Sequence, residues 1–183
     1  AQTTQAAPTE QPTPEPDPVQ QLLEEMTLEQ KVGQIFLVRP DSLDLSQTQD
    51  QINDAKADGV TELTDAMRQT LAEYPVGGVV IFGKNLESPQ QITQFLDDLQ
   101  QASDTPLFTA IDEEGGLVAR LANNAAFDLP QYESAAAVGT SGNPEDARAM
   151  GRTIGGYLKE YGFNLDFAPV ADVNTNPDNP VIG

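Results

Sequence analysis

Four short, nearly unbroken apolar runs recur along the chain, each separated from the next by a stretch with helical periodicity. Residues 34–38 form the first, bounded by Gly33 and Pro40, and residues 77–83 carry Val79, Val80, Ile81 and Phe82. Residues 106–112 hold Leu107, Phe108, Ala110 and Ile111, and residues 163–168 complete the series. Strands that are apolar at successive positions, rather than alternating, have both faces covered, as in parallel sheets flanked by helices. The order strand, helix, strand, helix, strand, helix, strand therefore predicts an α/β fold with a parallel sheet. Two architectures satisfy it: a doubly wound sheet, or part of an eight-stranded (β/α) barrel. No glycine-rich phosphate loop follows the first run, which weakens the dinucleotide-binding version. The pattern alone leaves the choice open.

The helices are marked by their starts. Thr27 and Gln30 stand at capping-box spacing. Ser88-Pro89-Gln90-Gln91 combines an N-cap, a proline at the first helical position and a reciprocal glutamine, and Asn143-Pro144 opens another helix. Leu63, Met67, Leu71 and Tyr74 lie at helical spacing and predict a buried face. So do Ile92, Phe95, Leu96 and Leu99, and then Ala147, Met150, Ile154 and Leu158, with Gly162 ending the last helix. Leu22, Leu23 and Met26 form a short apolar stripe, so folding is expected to begin near Val19. Residues 41–59 are polar and poorly periodic and read as a long excursion. Residues 1–18 carry five prolines and no aliphatic side chain larger than alanine, the composition of an extended, disordered linker. A domain over residues 19–183 behind such a leader is expected of an exported, envelope-tethered protein, with the cytoplasm as the alternative.

Composition removes several function classes. The formal charge is −20, from 29 acidic and 9 basic residues, which argues against nucleic acid or an anionic membrane as partner. Cysteine is absent, so neither disulfides nor thiolate metal sites form. Histidine is absent too, which excludes Ser-His-Asp, Cys-His and histidine-ligated zinc chemistry within these residues. No apolar run approaches the roughly 20 residues that span a bilayer.

Chemistry is left to carboxylates and a few cations. In either architecture ligands gather at the carboxyl ends of the strands, where Arg39, Lys84, Asp112 with Glu113 and Glu114, and Asp172 fall. Arg39 and Lys84 read as surface charges. Three adjacent carboxylates repel one another unless partnered, and the following Gly115-Gly116 permits a sharp turn, so this segment is either a solvated turn or a site. Carboxylates suit a glycosidase, because they accept hydrogen bonds from sugar hydroxyls or stabilise an oxocarbenium-like transition state. Arg120, eight residues after Asp112, balances that charge, binds a sugar hydroxyl, or pairs with a surface acid. Asp172, Asn174, Asn176 and Asp178 alternate as in a calcium loop. Pro177 and Gly183, however, occupy the positions that need Gly and a bidentate Glu, so no metal is expected.

These motifs converge on a known family. Residues 26–34 (MTLEQKVGQ), 77–82 (GGVVIF), 111–116 (IDEEGG), Leu129-Pro130, 162–174 (GFNLDFAPVADVN) and 176–183 (NPDNPVIG) resemble the N-terminal part of the glycoside hydrolase family 3 catalytic barrel. The resemblance covers residues 20–183 and lies with the β-N-acetylglucosaminidase (β-N-acetylhexosaminidase) branch. It implies a (β/α)8 TIM-type barrel of which about four units are present. It further implies retaining hydrolysis of terminal β-N-acetylglucosamine from cell-wall or chitin-type glycans through a covalent glycosyl-enzyme, with a carbohydrate substrate and no cofactor. By motif match Asp112 binds the sugar's distal hydroxyls, Arg120 is a second contact, and Asp172 organises the site at the mouth of the fourth strand. Leu117 stands where the family more often has Arg or Lys, so a local ion pair is not expected there. The family's nucleophilic aspartate, Lys-His pair and acid/base histidine match positions beyond Gly183, so these residues are expected to be inactive alone. Four strands of a barrel leave two edges unpaired, so self-association is expected. A family 3 β-glucosidase, or a non-catalytic glycan-binding module of the same fold, is the alternative.

Overall fold

The structure is a computed structural model describing residues 17–176 and 178–181. The predicted linker therefore lies outside the described residues except for Asp17 and Pro18, and these two belong to the fold. Asp17 caps helix α1 (Pro18–Glu25), its Oδ1 accepting the Val19 N–H at 2.9 Å, and Pro18 opens the helix with its backbone angle already set. Helix α2 (Leu28–Gly33) starts at the expected capping box, with Thr27 and Gln30 each bonding the other's backbone N–H.

The remaining elements follow as β1 (Leu37–Val38), α3 (Gln49–Asn53), α4 (Asp65–Glu73), β2 (Gly78–Ile81), α5 (Pro89–Ala102), β3 (Phe108–Ile111) and a hairpin of β4 (Glu113–Gly115) with β5 (Val118–Ala119). Then come α6 (Ala135–Thr140), α7 (Pro144–Glu160) and β6 (Leu165–Asp166). Strands β1, β2, β3 and β6 form one parallel sheet in that order. A doubly wound sheet reverses its strand order at a switch point. No reversal occurs here: α4, α5 and α7 each join one strand to its immediate neighbour. The chain builds consecutive units of a TIM-type barrel.

The core lies between the strands and those three helices. Val79, Ile81, Ala110 and Ile111 are fully buried against Met67 and Leu71 of α4, all four predicted residues of α5, and Met150, Ile154, Tyr157 and Leu158 of α7. Each large apolar side chain so buried contributes about 1.5–3 kcal/mol. Two predicted stripe positions are corrected. Tyr74 is exposed because the backbone has already left the helix at this C-cap (φ −123°), and Ala147 lies on the solvent side of α7.

The first strand is also shorter than expected. Ile35 and Phe36 are 74% and 52% exposed rather than buried. Their N–H groups bond back to Val32 and Gly33, so the helical turn continues through them and strand geometry begins only at Leu37. The fourth run behaves similarly, with Phe163 buried but Phe167 exposed beyond the two residues of β6. The polar excursion over residues 41–59 holds more structure than its pattern suggests: a 3₁₀ turn (Pro40–Leu43), and α3 with its own Thr48–Gln51 capping box.

Candidate functional site

Strand direction brings the chemistry-bearing residues together at the carboxyl ends of the sheet. At the mouths of β1 and β2 the arrangement is dry. Asp41 is fully buried, and Lys84, whose side chain is 6% exposed, places Nζ 3.1 Å from its Oδ1. Lys84 also donates to the carbonyls of Gln51 and Ile52, each at 3.1 Å. Asn85 Nδ2 donates to Asp41 Oδ2 at 3.0 Å and to the Val60 carbonyl at 2.9 Å, while the Val60 N–H donates to Asp41 Oδ1 at 3.2 Å. A buried ion pair persists only when its remaining valences are met, and these are. Lys84 is therefore not a surface charge. It pins the 41–60 segment to the end of β2.

Arg39 is corrected in the same way. Its guanidinium lies over the Phe82 ring, 4.4 Å from the centroid, and donates to the Ile52 carbonyl at 2.7 Å. Both cations are consumed in fastening one loop.

The mouth of β3 is different. Arg120 Nη2 lies 3.2 Å from Asp112 Oδ2, with the two side chains 31% and 30% exposed. The guanidinium also faces Phe82 at 5.7 Å, so both arginines meet the same ring. The left-handed backbone of Gly115 (φ 87°) and Gly116 (φ 61°) makes the hairpin turn that returns the chain from Asp112 to Arg120. Sequence separation left the partner of Arg120 undecided; the hairpin decides it.

The three consecutive carboxylates do not act as one cluster. Side chains alternate along extended backbone, and only Asp112 presents a half-exposed carboxylate paired with a cation. Glu113 is fully buried and accepts from the Leu121 N–H, the Ala122 N–H and the Tyr157 hydroxyl, each at 2.9 Å. Glu114 Oε2 accepts the Val170 N–H at 3.1 Å and holds the loop that leaves β6. Burial and the neighbouring Glu113 charge push the Tyr157 hydroxyl far above the usual phenol range, so it stays a proton donor.

Asp166 was missed by the pattern reading, although a lone acid in an apolar run is a legible signal. Its Oδ1 accepts the Glu113 N–H at 3.0 Å. Burial raises its pKa above the usual value; that hydrogen bond opposes the shift, and the charges of Glu113, Glu114 and Asp112 reinforce it.

Asp172 stands apart from this pair. It is exposed and lines an open cleft of about 850 Å³, with Glu114, Leu117, Glu133 and Asn174 also on its walls, and neither Asp112 nor Arg120 lines that cleft. The Glu114–Val170 bond joins the two places. Of the calcium-like loop, Pro177 and Gly183 lie outside the described residues.

The Asp112–Arg120 pair offers a carboxylate with spare lone pairs beside a guanidinium with spare N–H groups. Such a pair accepts from one hydroxyl and donates to its neighbour, which matches adjacent hydroxyls on a sugar ring.

A parallel β/α barrel with an acid–arginine pair at its strand mouths defines the class, that of barrel proteins whose ligands meet the carboxyl ends of the strands. Residues 27–183 match the glycosyl hydrolase family 3 N terminal domain, and the chain belongs to that family. It is 36% identical over 128 residues to beta-hexosaminidase A of Pseudoalteromonas piscicida, covering 67% of this chain and 21% of that protein. Over 118 residues it is 32% identical to a beta-hexosaminidase of Thiobacillus denitrificans, covering 62% of this chain and 32% of that one. The structure superposes on a family 3 beta-N-acetylglucosaminidase from Paenibacillus sp. str. FPU-7 with a TM-score of 0.68 and 34% identity, over 86% of this chain and 27% of the other. The chain thus spans between about a fifth and a third of the length of these proteins.

Proposed function

We propose that the Asp112–Arg120 pair is a sugar-hydroxyl clamp in a retaining β-N-acetylhexosaminidase that removes terminal β-N-acetylglucosamine from cell-wall or chitin-type glycans. The observation that carries this reading is the 3.2 Å contact of two half-exposed, oppositely charged side chains at the mouth of β3. The names of the family members above support the branch, and the acetamido sugar comes from those names. The clamp binds and does not attack: a guanidinium on one carboxylate oxygen makes Asp112 an acceptor for hydroxyls and a weak nucleophile. The family resemblance assigns the nucleophilic aspartate and the acid/base histidine to positions after Gly183, and these 183 residues contain no histidine that could serve as the acid/base. Asp172 extends the site along the neighbouring cleft. An extracellular or envelope location belongs to the same proposal and is checked by fractionating cells that make the native protein.

The test is turnover of 4-nitrophenyl N-acetyl-β-glucosaminide and of the matching β-glucoside by the native protein carrying these residues. Asp112→Ala is expected to lower kcat/KM on the former by about 10- to 100-fold, the worth of a charge-assisted hydrogen bond. Preference for the glucoside would place the protein in the β-glucosidase branch. Sugar binding without turnover would make it a binding module.

The 183-residue chain is further proposed to self-associate through β1 and β6, whose outer edges are unpaired among the described residues and flanked by exposed Ile35, Phe36 and Phe167. Monomeric elution at micromolar concentration would refute this.

A further inference from the structure

Of the two acidic side chains at the mouth of β3 that the proposed clamp does not use, Glu114 holds the loop after β6, and Glu113 is fully buried. A buried carboxylate is costly unless its oxygens are met by donors. Here Oε2 takes the Leu121 N–H, and Oε1 takes both the Ala122 N–H and the Tyr157 hydroxyl, each at 2.9 Å. The two backbone donors belong to the residues immediately after Arg120. The carboxylate itself is carried by the residue immediately after Asp112. One side chain thereby ties together the two ends of the hairpin that bears the pair, and Tyr157 anchors it to α7.

From this geometry we infer that Glu113 is a positioning residue, setting the Asp112–Arg120 separation and so the span of hydroxyls the clamp accepts. The inference rests on the sugar-clamp reading above.

Arg120 gives a reason why such a device is needed. Its Nε is buried without a hydrogen-bond partner among the described residues, and the guanidinium is extended between Phe82 and Asp112. An arginine left to its own rotamers would turn that N–H toward water. Fixing its backbone at the next two peptide groups sets the point from which the side chain reaches Phe82 and Asp112 and so narrows that freedom. The Asp166 carboxylate, accepting the Glu113 N–H at 3.0 Å, holds the strand side of the same residue from β6. Two elements, β6 and α7, therefore converge on one hairpin through a single residue.

The test pairs kinetics with a direct view of the arginine. In Glu113→Gln one oxygen becomes an amide that cannot accept a backbone N–H, and kcat/KM on 4-nitrophenyl N-acetyl-β-glucosaminide is expected to fall about 10- to 100-fold. Tyr157→Phe removes a single donor without changing the carboxylate, and a loss of about fivefold is expected. It serves also if the Gln variant fails to fold. In an Arg120→Ala background neither substitution should lower turnover further, because the positioned group is gone; an undiminished loss there would show a general structural role and overturn the inference. The Arg120 Nε–H signal in nitrogen-edited NMR, assigned against Arg120→Lys, is expected to exchange slowly with water in the parent and to move to the position of free arginine in both variants. An unmoved signal would overturn it independently of any turnover. If instead Arg120→Ala and Asp112→Ala leave turnover intact, the clamp reading fails, and the NMR result still decides the positioning role.

Discussion

Two ion pairs sit at neighbouring strand mouths with nearly the same contact distance, Lys84–Asp41 at 3.1 Å and Arg120–Asp112 at 3.2 Å. They differ in burial. The first is almost wholly enclosed, with side chains 6% and 0% exposed, while the second is 31% and 30% exposed. Enclosure turns a charge pair into a fastener, because neither partner can be removed without stranding the other in a dry environment. Partial exposure leaves lone pairs and N–H groups for something else to meet. Contact distance says little about role; access says most of it.

The comparison breaks most visibly in stability. Lys84→Met should cost about 3–5 kcal/mol by leaving Asp41 buried and uncompensated, read as a lowered urea midpoint. Asp112→Ala should cost under about 1 kcal/mol in the same measurement, since a half-exposed pair contributes little to folding. Equal losses in the two variants would erase the distinction drawn here. Next in size is Gly116→Ala, which forces a left-handed residue (φ 61°) and brings a Cβ to 2.8 Å from the Glu133 carbonyl. A destabilisation of about 1–2 kcal/mol is expected, together with weakened sugar turnover because this turn closes the Asp112–Arg120 hairpin.

The smallest effect concerns pH. The Asp166 pKa is raised in the folded protein, above a reference value of 3.8. As pH rises from that value toward the folded pKa, the unfolded chain releases the proton first, so Asp166 makes stability fall across that window and adds no further slope above it. Asp166→Asn should flatten that part of the stability–pH curve while preserving acceptance of the Glu113 N–H. A steeper curve in the variant would mean that the shift has the opposite sign.

Much of the framework was legible locally. Pro89 and Pro144 each stand at a helix start, behind capping Ser88 and Asn143. The Thr27–Gln30 box forms as spaced, and Ile92, Phe95, Leu96 and Leu99 are all buried. These signals act within a turn or two of the chain. The misses in the candidate site have the opposite property. Nothing near Lys84 announces burial, because the groups that enclose it come from the 41–60 segment; Asn85, which completes the network, lies 44 residues from Asp41. The short α3 and α6, and the β4–β5 hairpin, are too brief for periodicity to declare. Of the candidate site, Asp112 was visible as an acid at a strand end, whereas the division of labour among Asp112, Glu113 and Glu114 was not.

The sequence by itself determined the succession of β/α units, the helix starts, the family and the absence of imidazole chemistry in these residues, because composition and local spacing carry that information. Tertiary structure alone decided that Lys84 is enclosed while Arg120 remains reachable, and that Glu113 faces Tyr157 across 44 residues. Burial and pairing depend on what the rest of the chain brings to the same place, and no local pattern records it.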